Sequence, residues 1–80
     1  MQSFVYKSRR KRDTYVFLRE RNVFDVLPEA IRAAIEPFEF ILEIELFAGR
    51  RLARDSAEAV MANLEPNGFH LQFPLVELPG

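Results

Sequence analysis

Phe38-Glu39-Phe40-Ile41-Leu42-Glu43-Ile44-Glu45-Leu46-Phe47 is the stretch whose reading decides the fold. Its apolar and acidic residues alternate with a period of two. That is the pattern of a β-strand with one face on a core and the other mostly toward water. The alternation sends Phe38, Phe40, Leu42, Ile44 and Leu46 to one side and Glu39, Ile41, Glu43, Glu45 and Phe47 to the other. Leu42 is therefore expected in the core.

C-terminal to this strand, Ala48-Gly49-Arg50-Arg51 reads as a turn. A helix is predicted over 55–65, with Ala57, Val60, Met61 and Leu64 as its buried stripe. Asp55 or Ser56 caps it, and Asp55 with Glu58 has capping-box spacing. Asn67-Gly68 stops it. Alternation returns at 69–73, with His70 and Gln72 facing away from Phe69, Leu71 and Phe73. Pro74 ends that strand, and residues 75–80 read as a loose tail.

On the N-terminal side, Pro37 closes a short helix over 28–35, because the residue before a proline is pushed out of the α region. Leu27, Ile31, Ala34 and Ile35 share one face of it. Residues 3–7 and 14–19 are β-prone and read as a hairpin around a polar loop. The order is ββαβαβ. The expected fold is α/β (α+β): a small single-domain sandwich, its mixed or mostly antiparallel four-stranded sheet packed with two helices. Residues 1–80 make one domain with a core over about 3–75.

Charge is the second strong signal. Lys7-Ser8-Arg9-Arg10-Lys11-Arg12 holds five of the eleven basic side chains. Residues 1–22 carry a net +5 and residues 23–80 a net −6, so the overall −1 hides a basic tip on an acidic body. Such a tip attracts phosphates or carboxylates through its long-range field. Lys7, Arg9, Arg10, Lys11 and Arg12 are the candidate anion- or nucleic-acid-binding residues, joined by Arg50, Arg51 and Arg54 if the fold brings that second cluster alongside. Tyr6 and Tyr15 flank the loop as candidate base-stacking residues. The competing reading is a solvated loop whose arginines pair with Asp13 or Glu20. The pI of 5.8 weakens the nucleic-acid reading, since strong binders usually exceed about 9.

Other chemistry is thinly represented. There is no Cys, so neither a disulfide nor a cysteine zinc site can form, and the three glycines make no phosphate loop. Glu39, Glu43 and Glu45 fall on one face of an ideal strand, whose alternate positions lie ~6.6–7 Å apart, within reach of carboxylate-pair chemistry, but read more simply as its polar side. The single His, His70, lacks an accompanying nucleophile motif. No cofactor is expected. No stretch approaches the ~20 apolar residues that span a bilayer, and no secretory leader is evident. A cytoplasmic protein without membrane partners, monomeric or weakly dimeric, is the expectation.

Val5-Tyr6-Lys7-Ser8, Thr14-Tyr15-Val16-Phe17, Leu27-Pro28-Glu29, Arg51-Leu52-Ala53-Arg54 and Gly68-Phe69-His70-Leu71-Gln72-Phe73-Pro74 occur in an order and spacing that resemble the YcgL-domain family of small bacterial proteins. The resemblance covers roughly residues 3–75. It implies a compact α/β sandwich and a cytoplasmic bacterial protein, and it implies no enzyme activity or ligand. The chain departs from the family in having Ser3 where relatives tend to have Cys, and Glu36 where they tend to have Gly. Glu36 argues against a left-handed helix cap there. Three functions follow in order. The first is a non-enzymatic binding or accessory module contacting nucleic acid or an acidic partner through the basic hairpin. The second is a protein-interaction domain with an apolar contact, and the third a small phosphate-binding or hydrolytic enzyme.

Overall fold

A computed structural model describes residues 1–52 and 54–73; the expected tail over 75–80 lies outside them. Strands β1 (Gln2–Ser8), β2 (Tyr15–Leu18), β3 (Phe38–Glu45) and β4 (Phe69–Gln72) form one sheet in the order β3-β1-β2-β4, with every neighbouring pair antiparallel. A 3₁₀ turn (Phe24–Val26) and helix α1 (Glu29–Ile35) link β2 to β3, and helix α2 (Ala57–Asn67) links β3 to β4. The expected α/β sandwich with a ββαβαβ order is the observed one.

Each face of the sheet has its own core. On one face Val5, Phe17 and Leu46 pack with Ala57, Val60 and Leu64 of α2. On the other, Tyr6, Val16 and Leu18 pack with Leu27 and with Ile35 of α1. Adjacent strand residues serve opposite cores, as the pleat requires. That explains why β1 and β2 read as near-continuous apolar runs: both strands are covered on both faces.

The helix ends follow local chemistry. Ser56 Oγ accepts from the Ala59 amide at 3.1 Å and caps α2. The Asp55–Glu58 capping box does not form, because the N-cap is Ser56, one residue past Asp55; Asp55 instead meets His70, and Glu58 accepts from the Gly49 amide. Gly68 ends α2 with φ of 82°, its N–H donating to Leu64 O at 2.9 Å. The positive φ favours glycine there, and a Cβ on Gly68 would also press on Val26 Cγ1 at 3.3 Å. Glu36 is extended (φ −71°, ψ 155°), and α1 has no left-handed cap.

Strand β3 departs from its ideal alternation. Val5 pairs with Leu42 but Tyr6 pairs with Phe40, so Ile41 is an extra residue in a β-bulge. One inserted residue exchanges the faces of everything beyond it. Phe38 accordingly packs in the α1-side core and Ile44 in the α2-side core. Glu39 is thus placed opposite in face to Glu43 and Glu45, which corrects the single acidic face. Leu42 is corrected too: it is 44% exposed, beside Phe40 at 39% and Ile41 at 41%. Leu64 is fully buried as expected. Leu42 is uncovered because α2 packs on β2 and β4, on the far side of β1.

Candidate functional site

The β1–β2 loop presents the basic run, and its one uncharged residue organises it. Ser8 is buried at the base of the loop. Its Oγ accepts from the amides of Lys11 at 2.8 Å and Arg10 at 3.3 Å and donates to Ile35 O at 2.5 Å. Ser8 N–H donates to Thr14 O at 2.9 Å and closes the hairpin. Arg9 N–H donates to Pro37 O at 2.9 Å, and Thr14 Oγ1 to Arg12 O at 3.2 Å. Asp13, at φ 53°, completes the turn in a conformation that Asp tolerates better than most residues. The loop is therefore braced against the C-terminal end of α1.

Arg10 contributes to the bracing. Its guanidinium donates to Ala33 O at 3.0 Å, where the last carbonyls of α1 lack helical partners and carry partial negative charge. Arg9, Lys11 and Arg12 are exposed. Among the described residues the charged pair is Met1–Glu45, and His70 meets Asp55 within hydrogen-bond distance, so the proposed pairing of the loop with Asp13 or Glu20 is not seen. Lys7, Ser8, Arg9, Arg10, Lys11, Arg12 and Glu39 line a shallow cleft of about 420 Å³. Glu39 sits directly across from Lys7 in the strand pairing and tempers the positive field on that side.

The remaining candidates separate. Tyr6 is 2% exposed, and its hydroxyl donates to Asn22 Oδ1 and accepts from Asn22 N–H, each at 2.9 Å. It is a core residue and unavailable for base stacking. Tyr15 is partly exposed, between Lys7 and Gln72 in the register. Arg50 follows the end of β3 that pairs with Met1, opposite the hairpin tip; the seven residues of β1 put about 20 Å between those ends. The Arg50 guanidinium lies 5.6 Å from the Phe47 ring, and its Nε is buried without a hydrogen-bond partner among the described residues. Arg51 is exposed beside it. Arg54 returns to the hairpin end, donating to Phe73 O at 2.8 Å one residue past the Tyr15–Gln72 pair. A single patch of eight cations does not assemble.

His70 is held at both ring nitrogens. Asn63 Nδ2 lies 2.8 Å from Nδ1, and Asp55 Oδ2 lies 2.9 Å from Nε2. In the tautomer that satisfies both contacts, Asn63 donates to Nδ1 and Nε2–H donates to Asp55. The ring stands edge-on to Phe17, 5.8 Å between centroids. This arrangement ties β4 to the start of α2. Among the described residues no group of three His, Asp or Glu side chains could hold a metal ion. No helix there is long and apolar enough to cross a membrane.

The domain that carries this site is shared with known proteins. The YcgL domain matches residues 3–75, a span that includes both helices and all four strands but for the first residue of β1. The chain belongs to the YcgL domain family. A YcgL domain-containing protein of Thioalkalivibrio sulfidiphilus (strain HL-EbGR7) is 47% identical over 74 residues, covering 92% of this chain and 91% of the relative. One from Xanthomonas campestris pv. campestris (strain B100) is 46% identical over 74 residues, covering 92% of this chain and 86% of the relative. Another, from Xanthomonas axonopodis pv. citri (strain 306), is 46% identical over the same length. These relatives are named by their domain alone.

Sequence reasoning missed Ser8 and Asp55 as organising residues. Ser8 was legible in principle, since a lone Ser within a charged turn is a usual source of side-chain-to-backbone bonds. Asp55 was not: it meets His70 across 15 residues through tertiary packing.

Proposed function

We propose that this chain is a non-enzymatic binding module that engages nucleic acid through its basic hairpin, working in the bacterial cytoplasm where that partner is plentiful. The observation that carries this reading is the bracing of the loop. Ser8, Arg10 and Arg9 N–H hold it in one shape, while the Arg9, Lys11 and Arg12 side chains stay exposed and outside any ion pair among the described residues. Ordered cations bind a polyanion at lower entropic cost than a flexible tail does. Their loop contains no aromatic or amide side chain to read base edges, so contacts go to phosphates and sequence preference is weak. The non-enzymatic part is supported by His70, whose ring nitrogens are both occupied by protein groups.

Fluorescence anisotropy with a mixed-sequence single-stranded RNA tests the proposal. Four phosphate contacts, from Lys7, Arg9, Lys11 and Arg12, predict that affinity for the single strand drops about 50-fold between about 50 and 200 mM salt. Arg9→Ser/Lys11→Ser/Arg12→Ser, which spares the bracing Arg10, should abolish binding and leave thermal stability unchanged. Absence of wild-type binding at the lower salt, with RNA or DNA, refutes the proposal.

A further inference from the structure

β3 is an eight-residue strand at one end of the sheet order, bonded to β1 on one side only. Its outer row of backbone N–H and C=O groups therefore has no strand partner among the described residues. An open edge of this length is a template for another strand unless something blocks it. Here the blocking is incomplete. The bulge at Ile41 interrupts the middle, but Leu42 to Glu45 run on in regular register with β1.

The side chains beside that edge form a two-sided pattern, set by the bulge. Leu42 and Ile44 point toward the α2 side, Leu42 being 44% exposed. Glu43 and Glu45 point toward the α1 side and are exposed. Glu45 is approached by the Met1 ammonium at 3.7 Å, and Glu43 has no ion pair among the described residues. Three consecutive apolar residues, Phe40 to Leu42, are each about two-fifths exposed. Arg21 covers the Phe40 ring at 4.4 Å, leaving Ile41 and Leu42 uncapped.

We propose that the outer edge of β3 is a strand-addition site for an extended segment of a partner protein that alternates apolar and basic residues. Main-chain hydrogen bonds to Leu42–Glu45 supply affinity, and alternate side chains supply specificity. The partner's apolar residues extend the Leu42 and Ile44 row, and its Lys or Arg side chains face Glu43 and Glu45. Charge selects this occupant over a second copy of the chain. β3 contains three Glu and no Lys or Arg, so pairing it with itself gathers six carboxylates along one ribbon. Like charges across strands are destabilising, and opposite charges are favourable. The site is independent of the basic hairpin.

Amide hydrogen exchange and ¹⁵N NMR of the whole chain at low salt provide the test, with short synthetic peptides as probes. One alternates Lys and Val, one alternates Glu and Val, and a third is the Lys–Val peptide N-methylated along one edge. The Lys–Val peptide should bind about tenfold or more tighter than the Glu–Val peptide, from two favourable cross-strand pairs replacing two repulsive ones. It should slow exchange at amides within 42–46. N-methylation should abolish binding while keeping the charge, and Glu43→Lys/Glu45→Lys should reverse the peptide preference. Equal binding of the Lys–Val and Glu–Val peptides would overturn the proposal. So would undiminished binding of the N-methylated peptide, which marks simple charge attraction. Protection of 42–46 that grows with protein concentration and no peptide would assign the edge to a second copy.

Discussion

The two outer strands of this sheet are attached alike and finished differently. β3 and β4 each follow a helix, and each pairs antiparallel with one strand of the β1–β2 hairpin. β4 lies under α2, with His70 buried and tied to both Asp55 and Asn63. β3 keeps Ile41 and Leu42 open to solvent. The cause is geometric. A helix is about 10 Å wide and covers roughly two strands at their ~4.8 Å spacing. One helix per face leaves part of a four-stranded sheet bare, and α2 sits over β2 and β4. An apolar position on an amphipathic strand is thus core only where a helix lies above it.

The largest expected effect contrasts the covered and the bare regions directly. Leu64→Ala, on the buried stripe of α2, should cost about 2–5 kcal/mol. Leu42→Ala, with almost half of its surface already wet, should cost about 1 kcal/mol or less. Urea denaturation of both variants checks the contrast, and equal losses would break it. Next is the tie that finishes β4. His70→Ala strands Asn63 and Asp55 and should cost about 1–3 kcal/mol without altering RNA affinity. A large loss of RNA binding in a folded variant would contradict a structural role for His70. Gly68→Ala, at the junction of α2 and β4, forces a side chain into a left-handed conformation against Val26. It should cost about 1–3 kcal/mol, read as a lowered melting temperature.

The smallest effect belongs to the loop after β3. Glu58 has its pKa lowered below the ordinary 4.5, chiefly because its carboxylate accepts from the Gly49 N–H. A depressed carboxyl pKa contributes stability that is present above the unfolded value and lost as pH falls through the folded one. An NMR titration should place the Glu58 midpoint below that of a free Glu, with the Gly49 amide shift following the same curve. Glu58→Gln should remove the Gly49 response and barely move neutral-pH stability.

Much of the fold was legible because its signals are local. The α2 stripe at Ala57, Val60 and Leu64, the stop at Gly68 and the alternation at 69–73 all appear where periodicity and turn chemistry put them. β3 was found as a strand but its faces were not. Apolar residues occupy every even position from 38 to 46, so nothing in the pattern betrays the extra residue at Ile41. The slip serves tertiary needs. It delivers Phe38 to a stack on Phe24, 4.4 Å between centroids, and Ile44 to the opposite core. In the candidate site, charge showed the basic loop, but burial withdrew Tyr6 and strand direction separated Arg50 and Arg51 from it. Both depend on contacts distant in sequence, beyond the reach of a local pattern.

The central claim is that the braced hairpin is the anion-binding surface of the molecule. The most direct measurement is a ¹⁵N NMR titration of the whole chain with a mixed-sequence single-stranded oligonucleotide at low salt, following every backbone amide. The predicted result is a set of shifts centred on Lys7 and on Arg9 to Asp13, reversed by added salt, with the outer edge of β3 and the Arg50–Arg51 end unmoved. A spectrum that does not change, or whose largest shifts fall at Arg50 and Arg51, would contradict it.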